Sequence, residues 1–323
     1  MKAIVQDAYG PASVLSLRNI DRPGIGDNEV LVQVRAVGLH IGDWHLMTGT
    51  PYLVRAMGYG LRAPKKKVRG MDVAGRVEAV GRNVTRFIPG DEVFGTSDGA
   101  LAEYATARAD LLAPKPANLS FEEAAAVPTS ATAALQALRD TGRVQANQRL
   151  LVIGAGGGVG LYAVQLAKSF GAHVTGVCST TKLDLVRGIG ADETIDYTRE
   201  DFTVAGKRYD VILDTVGNRS LSTLRKVLSP QGTLVIVGGE GGGPWLGIMM
   251  RLLGASVFSP FVSQKLRGVM STQRPADVQL LGELLTAGTI RPVIDRVYPL
   301  SEAAEAMDRL ATGRPSGKIV VTV

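Results

Sequence analysis

Cysteine is nearly absent from this chain, since Cys178 is the single cysteine among 323 residues. One cysteine excludes an intrachain disulfide and a cysteine-rich structural zinc lobe. Cys178 falls in a stretch that we expect to be a buried strand, where a cysteine is more typical of the hydrophobic core than of a nucleophile. The chain has only three histidines, which leaves few ligands for a catalytic metal ion.

Long apolar runs and targeting signals are also missing. The most apolar stretch, residues 245–258, contains Arg251 and is too short to span a membrane. Residues 1–7 alternate like a strand, unlike a signal peptide. We therefore expect a soluble, cytoplasmic protein with no membrane partner. The net charge of +6 is spread along the chain and gives no reason to expect a nucleic-acid partner.

The distribution of turn residues divides the chain into two kinds of pattern. Up to residue 116 the segments are short and alternating, which is typical of a small β-barrel. Over residues 117–290 apolar strands alternate with helices, which predicts an α/β domain with a doubly wound parallel sheet. Its strands are predicted at 149–153, 173–178, 193–196, 209–214, 232–237 and 255–258. Residues 291–323 return to strand, helix and strand, and we expect them to rejoin the first domain.

Residues 154–160 form a glycine-rich turn in an informative context. A short apolar strand precedes the turn, a helix with one apolar stripe follows it, and a second strand begins at His173. Strand, glycine turn, helix and strand together predict a dinucleotide site, because a backbone without Cβ atoms can approach a pyrophosphate at the helix N-terminus. An ordinary tight turn is the alternative. No Lys-Ser or Lys-Thr follows the glycines, which excludes a phosphate-binding loop of nucleotide hydrolases.

The end of the second strand indicates which dinucleotide binds. An NAD site usually has an acid there for the ribose hydroxyls, but residues 175–182 contain none. They offer the hydroxyls of Ser179, Thr180 and Thr181 and the ammonium of Lys182, which can hold a 2′-phosphate. The pattern therefore predicts NADP(H). Alternatively, Lys182 is a solvated residue at the start of a helix.

Several motifs in a fixed order carry a resemblance to a known family. They are 90–95 (GDEVFG), the glycine turn at 154–160, 190–192 (GAD), 195–197 (IDY), 214–217 (DTVG) and 313–321 (GRPSGKIVV). With these motifs the chain resembles the medium-chain dehydrogenase/reductase superfamily, and in it the zinc-free quinone oxidoreductase branch that includes zeta-crystallin. The resemblance implies a GroES-like β-barrel domain, 1–116 with 291–323, a Rossmann NADP-binding domain, 117–290, and an active-site cleft between them.

The resemblance also implies a set of residues that bind the cofactor. The pyrophosphate would lie on the glycine turn and the 2′-phosphate near the end of the second strand. Tyr197 would flank the adenosine, although it could also be a surface turn residue. Four further residues fall where relatives contact the nicotinamide half. The full set is Thr129, Gly156, Gly157, Gly158, Val159, Ser179, Thr180, Lys182, Tyr197, Val216, Gly238 and Gly239.

The chain departs from the zinc-dependent alcohol dehydrogenases of this superfamily. Those enzymes place a Cys and a His where this sequence has His40 and Met71, and methionine is a poor zinc ligand. We therefore predict no metal site, although His40 with Asp43 or Asp72 could hold one. Many quinone reductases have Asn-Pro where His40-Ile41 stands here, whereas Asp43 fits their pattern.

Without zinc, the acceptor itself must stabilise the charge that hydride addition creates. Quinones and α,β-unsaturated carbonyl compounds do so because the anion is delocalised. We predict His40 and Tyr52 as hydrogen-bond donors to this anion and Asp43 as the residue that sets the imidazole tautomer. The sequence thus predicts an NADPH-dependent, zinc-independent reductase of an apolar electrophilic carbonyl substrate, acting as a homodimer. Two alternatives are an alcohol dehydrogenase with an unusual metal site and a non-catalytic, crystallin-like NADP(H)-binding protein.

Overall fold

The structure is a computed structural model that describes residues 1–204, 206–239 and 248–323. The chain forms two compact units. The first unit contains Met1–Thr132 and Gln273–Val323, and the second contains Ala133–Thr272. The chain therefore passes from one unit to the other at residues 132/133 and 272/273, whereas the predicted domain boundaries are 116/117 and 290/291.

Strands and helices alternate with short turns throughout the described residues. The strands are β1 Lys2–Gln6, β2 Leu15–Asn19, β3 Glu29–Leu39, β4 Asp72–Val80, β5 Glu92–Thr96, β6 Tyr104–Arg108, β7 Leu112–Pro114, β8 Arg149–Ile153, β9 His173–Cys178, β10 Glu193–Asp196, β11 Tyr209–Asp214, β12 Leu228–Ile236, β13 Lys265–Gly268, β14 Ile294–Pro299 and β15 Lys318–Thr322. The α-helices are α1 Ile41–Thr48, α2 Phe121–Ala125, α3 Pro128–Gln136, α4 Gly158–Ser169, α5 Leu183–Gly188, α6 Leu221–Val227, α7 Ile248–Phe258, α8 Pro275–Thr286 and α9 Ala303–Ala311.

The first unit is built on a mainly antiparallel sheet. Its strand order is β14-β15-β3-β4-β5-β7, and β6 also pairs with β3. The alternating valines Val30, Val32 and Val34 of β3 point into the core of this unit. Strand β15 lies between β14 and β3, with Val321 opposite Val37, so the end of the chain completes the sheet that the first residues begin.

Helix α2, which precedes the second unit in sequence, and helix α8, which follows it, both pack on the first unit. Helix α2 contacts β3 and β4, and helix α8 contacts β7. The approach of α2 is very close, because a Cβ atom at Gly38 would lie 2.1 Å from the carbonyl oxygen of Ala125. These contacts explain why residues 117–132 and 273–290 belong to the first unit.

The second unit contains a parallel sheet of six strands. Its order is β10-β9-β8-β11-β12-β13, with every neighbouring pair parallel. This is the order of a doubly wound nucleotide-binding sheet, in which the ligand lies beyond the carboxyl ends of the strands where the order reverses, here between β8 and β11. The predicted α/β class and the predicted strands at 149–153, 173–178, 193–196 and 209–214 are confirmed.

The strand predicted at 255–258 is wrong. These residues lie in α7, and the sixth strand is β13. Periodicity cannot separate a buried strand from a helix in a short apolar run, and β13 itself alternates charged residues with the buried Leu266. The apolar stretch 245–258 lies only partly within the described residues, since residues 245–247 fall outside them. Among the described residues, no helix has the length and apolarity that a membrane span requires.

Candidate functional site

The glycine turn joins β8 to α4 in the second unit. Gly154 has a φ of +84°, and the N–H of Gly157 donates to its carbonyl oxygen over 3.0 Å. A Cβ atom at Gly160 would lie 2.1 Å from that same oxygen, so Gly160 lets the helix pack against the turn. At Gly157, in contrast, a Cβ atom would meet only the Gly154 oxygen, at 3.3 Å. The turn is therefore open at Gly157, where the first N–H groups of α4 have no partner inside the helix.

Lys182 lies over the glycine turn. Its Nζ donates to the carbonyl oxygen of Gly156 over 3.3 Å, and its Cδ lies 2.6 Å from where a Cβ atom of residue 156 would be. The side chain is half-buried rather than fully solvated. A positive charge thus stands beside the N-terminus of α4, and both features favour a bound phosphate.

The hydroxyl groups at the end of β9 have local partners. The Ser179 and Thr181 hydroxyl oxygens lie 3.3 Å apart, and the Thr180 hydroxyl donates to Asp196 Oδ2 over 2.5 Å. Asp196 ends β10 directly beside Cys178, and it also accepts the backbone N–H and the hydroxyl of Thr198. These hydrogen bonds, led by that from Thr180, lower the pKa of Asp196.

Sequence analysis did not predict Asp196 as a site residue. It is distant in sequence from the acid-free window at 175–182, although it is adjacent to that window in space. The signal that could have found it is the parallel pairing of β9 and β10, since the carboxyl ends of parallel strands meet at one edge. Tyr197 follows Asp196, is 52% exposed, and donates its N–H to the carbonyl oxygen of Cys178.

The carboxyl ends of β8, β11 and β12 come together around the glycine turn. A Cβ atom at Gly154 would lie 2.7 Å from Val216 Cγ2, and one at Gly238 would lie 2.4 Å from the carbonyl oxygen of Thr215. The loop after β11 is fixed by the buried Asp214, which accepts two backbone N–H groups, including that of Val216, and pairs with Arg251 over 2.5 Å. Val216, Gly238 and Gly239 therefore lie near the glycine turn.

In the first unit, His40 and Asp43 lie side by side where β3 passes into α1. The backbone N–H of His40 donates to Asp43 Oδ2 over 3.1 Å, and His40 Nε2 lies 3.4 Å from the same oxygen. The other edge of the ring rests on Gly42, where a Cβ atom would come within 2.8 Å of Nδ1 and Cε1. Nε2 of His40 and Oδ1 of Asp43 are buried, and neither has a hydrogen-bond partner among the residues that the structure describes.

Burial determines the protonation of this pair. It lowers the pKa of His40 to about 4, although the nearby Asp72 acts in the opposite direction. It raises the pKa of Asp43 to about 6, although the His40 N–H lowers it. The imidazole is therefore neutral near pH 7, and the carboxyl group can take up a proton in weak acid.

Asp72 and Lys318 form a second buried pair in the first unit. Asp72 Oδ1 accepts the N–H and the hydroxyl of Thr129, over 3.0 and 2.5 Å. Lys318 Nζ donates to Ser130 Oγ over 3.0 Å and lies 3.7 Å from Asp72 Oδ2. Sequence analysis did not predict Lys318 or Ser130 as site residues. A lysine at the start of a strand is usually exposed, and only the position of β15 inside the sheet buries this one.

Tyr52, the other predicted donor, lies beyond α1. Its ring is 38% exposed, and the guanidinium of Arg55 lies 4.7 Å from the ring centre. The same guanidinium lies 4.5 Å from the centre of the Tyr9 ring. Tyr52 therefore lies against a cation, which attracts the face of its ring.

Among the described residues, the side chains around His40 do not form a cluster that suits a catalytic zinc ion. Across residues 1–204, 206–239 and 248–323, no three His, Cys, Asp or Glu side chains are grouped so that they could hold a metal. His45 bonds to the carbonyl oxygen of Thr50, His173 is exposed on β9, and Cys178 is buried in the second unit, where burial raises the pKa of its thiol to about 11. A zinc site needs three good ligands and an open position.

Comparison with known proteins agrees with this architecture. Residues 26–117 match the family model for the alcohol dehydrogenase GroES-like domain, and residues 189–321 match that for zinc-binding dehydrogenase. The chain is 32% identical to quinone-oxidoreductase QR1, chloroplastic, from Triphysaria versicolor, over 99% of this chain and 98% of the relative. It is 34% identical to 2-methylene-furan-3-one reductase from Solanum lycopersicum, over 99% and 79%. The solved quinone oxidoreductase from Coxiella burnetii matches with a TM-score of 0.87 at 29% identity, over 100% and 99%.

The fold, the glycine turn and these similarities define an oxidoreductase with a nicotinamide cofactor. The chain belongs to the medium-chain dehydrogenase/reductase superfamily, in its quinone oxidoreductase branch. The predicted combination of a Rossmann domain with a GroES-like domain is confirmed.

Proposed function

We propose that this protein is an NADPH-dependent, zinc-independent reductase that transfers a hydride to a quinone or to an α,β-unsaturated carbonyl compound. The observation that carries the proposal is the neutral, buried imidazole of His40 beside Asp43, in a site whose side chains do not suit zinc. The names of the relatives, a quinone oxidoreductase and a furanone reductase, agree with such acceptors.

The choice of acceptor follows from charge. Reduction of a simple ketone creates a strongly basic alkoxide, which a metal ion would have to stabilise. A quinone or an enone instead gives an anion whose charge is spread over several atoms. One hydrogen bond to that anion, worth roughly 1.5–3 kcal/mol when one partner is charged, is then a useful part of the stabilisation.

His40 can supply this hydrogen bond, and Asp43 can control how it does so. A neutral imidazole carries one N–H group and one acceptor nitrogen, and an ionised Asp43 would hold that proton on Nε2. His40 can therefore donate to the anion from Nδ1 when Asp43 is protonated and donates to Nε2, and the pKa of Asp43, raised to about 6, makes that proton available in weak acid. Asp43 lies next to Nε2, and its carboxylate accepts the backbone N–H of His40, which holds the two residues together. Tyr52 remains the second proposed donor.

The cofactor supplies the hydride, and we propose the residues that bind it. Gly156, Gly157, Gly158 and Val159 would bind the pyrophosphate, and Ser179, Thr180 and Lys182 would lie near the 2′-phosphate. The openness of the turn at Gly157 and the ammonium beside it support this assignment. Tyr197 would flank the adenosine, and Thr129, Val216, Gly238 and Gly239 would contact the nicotinamide half.

The function is tested by measuring oxidation of NADPH and NADH with a panel of quinones, enones and simple ketones. We expect rapid turnover of quinones or enones with NADPH, slow oxidation of simple alcohols with NADP, and no loss of rate after treatment with a chelator. His40→Ala and Tyr52→Phe should lower kcat more than they raise KM, because each donor acts mainly on the developing anion. Loss of activity on chelation would favour an alcohol dehydrogenase with a metal at His40, whereas tight NADPH binding without turnover would favour a crystallin-like binding protein.

The preference for NADPH is tested at Lys182. Lys182→Ala should weaken NADPH binding about 10-fold or more and change NADH binding little, because a charged hydrogen bond to phosphate is lost. Arg187→Ala on α5 removes the same charge from an exposed position and serves as the control. Equal losses for both cofactors in Lys182→Ala would show that this ammonium serves the shared pyrophosphate instead.

A further inference from the structure

The hydroxyl group of Thr129 uses its single proton in a hydrogen bond to Asp72. Thr129 lies in the first turn of α3, and both its N–H and its hydroxyl donate to Oδ1 of Asp72. A hydroxyl has one proton and two lone pairs. Once the proton is given to Asp72, the oxygen of Thr129 can meet any other partner only as an acceptor.

This assignment holds as long as Asp72 stays ionised. Asp72 is fully buried, and burial raises its pKa, whereas His40, Lys318 and the hydrogen bond from Thr129 lower it. A buried carboxylate without a compensating charge takes up a proton. A protonated Asp72 could itself donate to Thr129, and the Thr129 proton would then be free to point elsewhere.

Lys318 supplies the compensating charge. Its side chain is 2% exposed, and its ammonium donates to Ser130 Oγ and lies 3.7 Å from Asp72 Oδ2. That oxygen accepts no hydrogen bond within the described residues. Burial lowers the pKa of Lys318, while Asp72 and Asp43 raise it, so each ion of the pair supports the other. The α3 N-terminus also favours the carboxylate form of Asp72.

We propose that Asp72 and Lys318 are a positioning pair that presents Thr129 to the nicotinamide end of the cofactor as a hydrogen-bond acceptor. The proposal rests on the proposed function, in which Thr129 contacts that end. The matching group is an N–H donor, and the carboxamide of nicotinamide carries one in its NH₂ group. Asp72 and Lys318 would thus favour a cofactor that carries a carboxamide NH₂ group, although neither residue contacts the cofactor.

The test compares the binding of two reduced cofactors by titration calorimetry. One is NADPH, and the other is its 3-acetylpyridine analogue, in which a methyl group replaces the NH₂. Thr129→Val should weaken NADPH binding about tenfold, the value of one good hydrogen bond, and should leave binding of the analogue within about twofold. Thr129→Ser keeps the hydroxyl and should behave like the wild type. Equal losses for both cofactors in Thr129→Val would overturn the acceptor role.

The role of the pair is tested with three further variants. Lys318→Met should abolish the preference for NADPH over the analogue, whereas Lys318→Arg, which keeps the charge, should retain it. If Lys318→Met does not fold by circular dichroism, Asp72→Asn with Lys318→Met provides a neutral pair whose amide oxygen can still accept from Thr129, and the preference should be present. A folded Lys318→Met that keeps the preference for NADPH overturns the role of the pair. If Lys318→Met does not fold, a folded double variant without the preference overturns it.

These binding measurements separate the inference from the proposed function. A chain that shows the predicted preference but reduces no quinone or enone keeps the inference and loses the proposed reaction. A chain that reduces its acceptors while binding both cofactors equally keeps the reaction and loses the inference. A wild-type chain that binds neither cofactor overturns both.

Discussion

At the scale of single residues, Gly42 decides where the imidazole of His40 can lie. A Cβ atom there would come within 2.8 Å of the ring, so the ring rests directly on the glycine. A contact this short cannot persist, and the imidazole is the group that can move. The imidazole of His40 can therefore occupy its position only because residue 42 is a glycine and has no Cβ atom.

Gly42→Ala should separate activity from stability. Alanine favours a helix over glycine by about 1 kcal/mol, so the melting temperature should hold or rise. Displacement of the imidazole should lower kcat by about 10- to 100-fold, as expected for a misplacement near 1 Å. The control is Gly188→Ala at the end of α5, where a Cβ atom meets nothing within 4 Å and kcat should not change. Full activity in Gly42→Ala would mean that the ring position does not matter.

Sequence analysis can place two residues side by side when they are close along the chain. His40 and Asp43 flank the start of one helix, so their proximity follows from the strand that ends and the helix that begins there. Lys318 and Asp196 were missed because each reaches its partners through strand pairing between distant segments. Local patterns carry little information about such pairing.

At the scale of elements, the glycine turn assigns different tasks to its glycines. Gly157 precedes α4 with a φ of −96°, which any residue can adopt, and it faces open space apart from one carbonyl oxygen. Gly160 faces the backbone of the turn itself. Gly157 therefore leaves space where the proposed pyrophosphate would lie, and Gly160 lets α4 pack closely against the turn.

Gly157→Val and Gly160→Ala should therefore fail in different ways. Gly157→Val should melt close to the wild type and lose NADPH binding, because its side chain occupies the space that the pyrophosphate needs. Gly160→Ala should lose about 1–3 kcal/mol of stability, the usual cost of overpacking. Melting curves and cofactor titrations on both variants check this. Normal NADPH affinity in Gly157→Val would remove the glycine turn from the proposed cofactor site.

Most elements could be predicted because their residues alternate or repeat in a recognisable period. The helix after the glycine turn and the strands on either side of it are examples. Helix α7 could not, since its apolar residues surround Arg251 and resemble a buried strand as much as a helix. Only tertiary contacts, such as Arg251 with Asp214 and Leu252 with Gly268, show how the segment lies.

At the scale of the whole molecule, the pair His40 and Asp43 should shape the dependence of stability on pH. His40 has a lower pKa in the folded protein, so its contribution is lost as the pH falls from 6.5 towards 4. Asp43 has a higher pKa when folded, so its contribution is lost as the pH rises from 3.8 through about 6. Between pH 4 and 6 the two effects oppose each other.

Asp43→Asn should uncover the effect of His40. The variant should melt at least as high as the wild type at pH 7.5, since an ionised buried carboxylate is gone. Between pH 7.5 and pH 4.5 its stability should fall relative to that of the wild type by about 2 kcal/mol, because Asp43 of the wild type takes up a proton near pH 6 when folded and only near pH 3.8 when unfolded. Asp184→Asn, at a fully exposed side chain, is the control. Parallel melting of wild type and Asp43→Asn across this range would contradict the assigned protonation.

Assembly and location remain predictions at this scale. Helix α7 leaves Met250, Leu253, Val257 and Phe258 more than half exposed, with values from 52% to 63%. Such a face suits the predicted homodimer, because exposed apolar patches often mark contacts between proteins. The cytoplasmic location likewise stays a prediction.

The place of β15 in the first sheet has a consequence for how the protein is made. A ribosome that has released residues up to 272 has delivered every strand of the second unit but neither β14 nor β15. The second unit can therefore fold during synthesis, while residues 36–39 of β3 in the earlier-made part of the first unit wait for their pairing with β15. For that interval the nascent chain carries an open sheet edge beside a finished domain, and it is then that a chaperone would find most to bind.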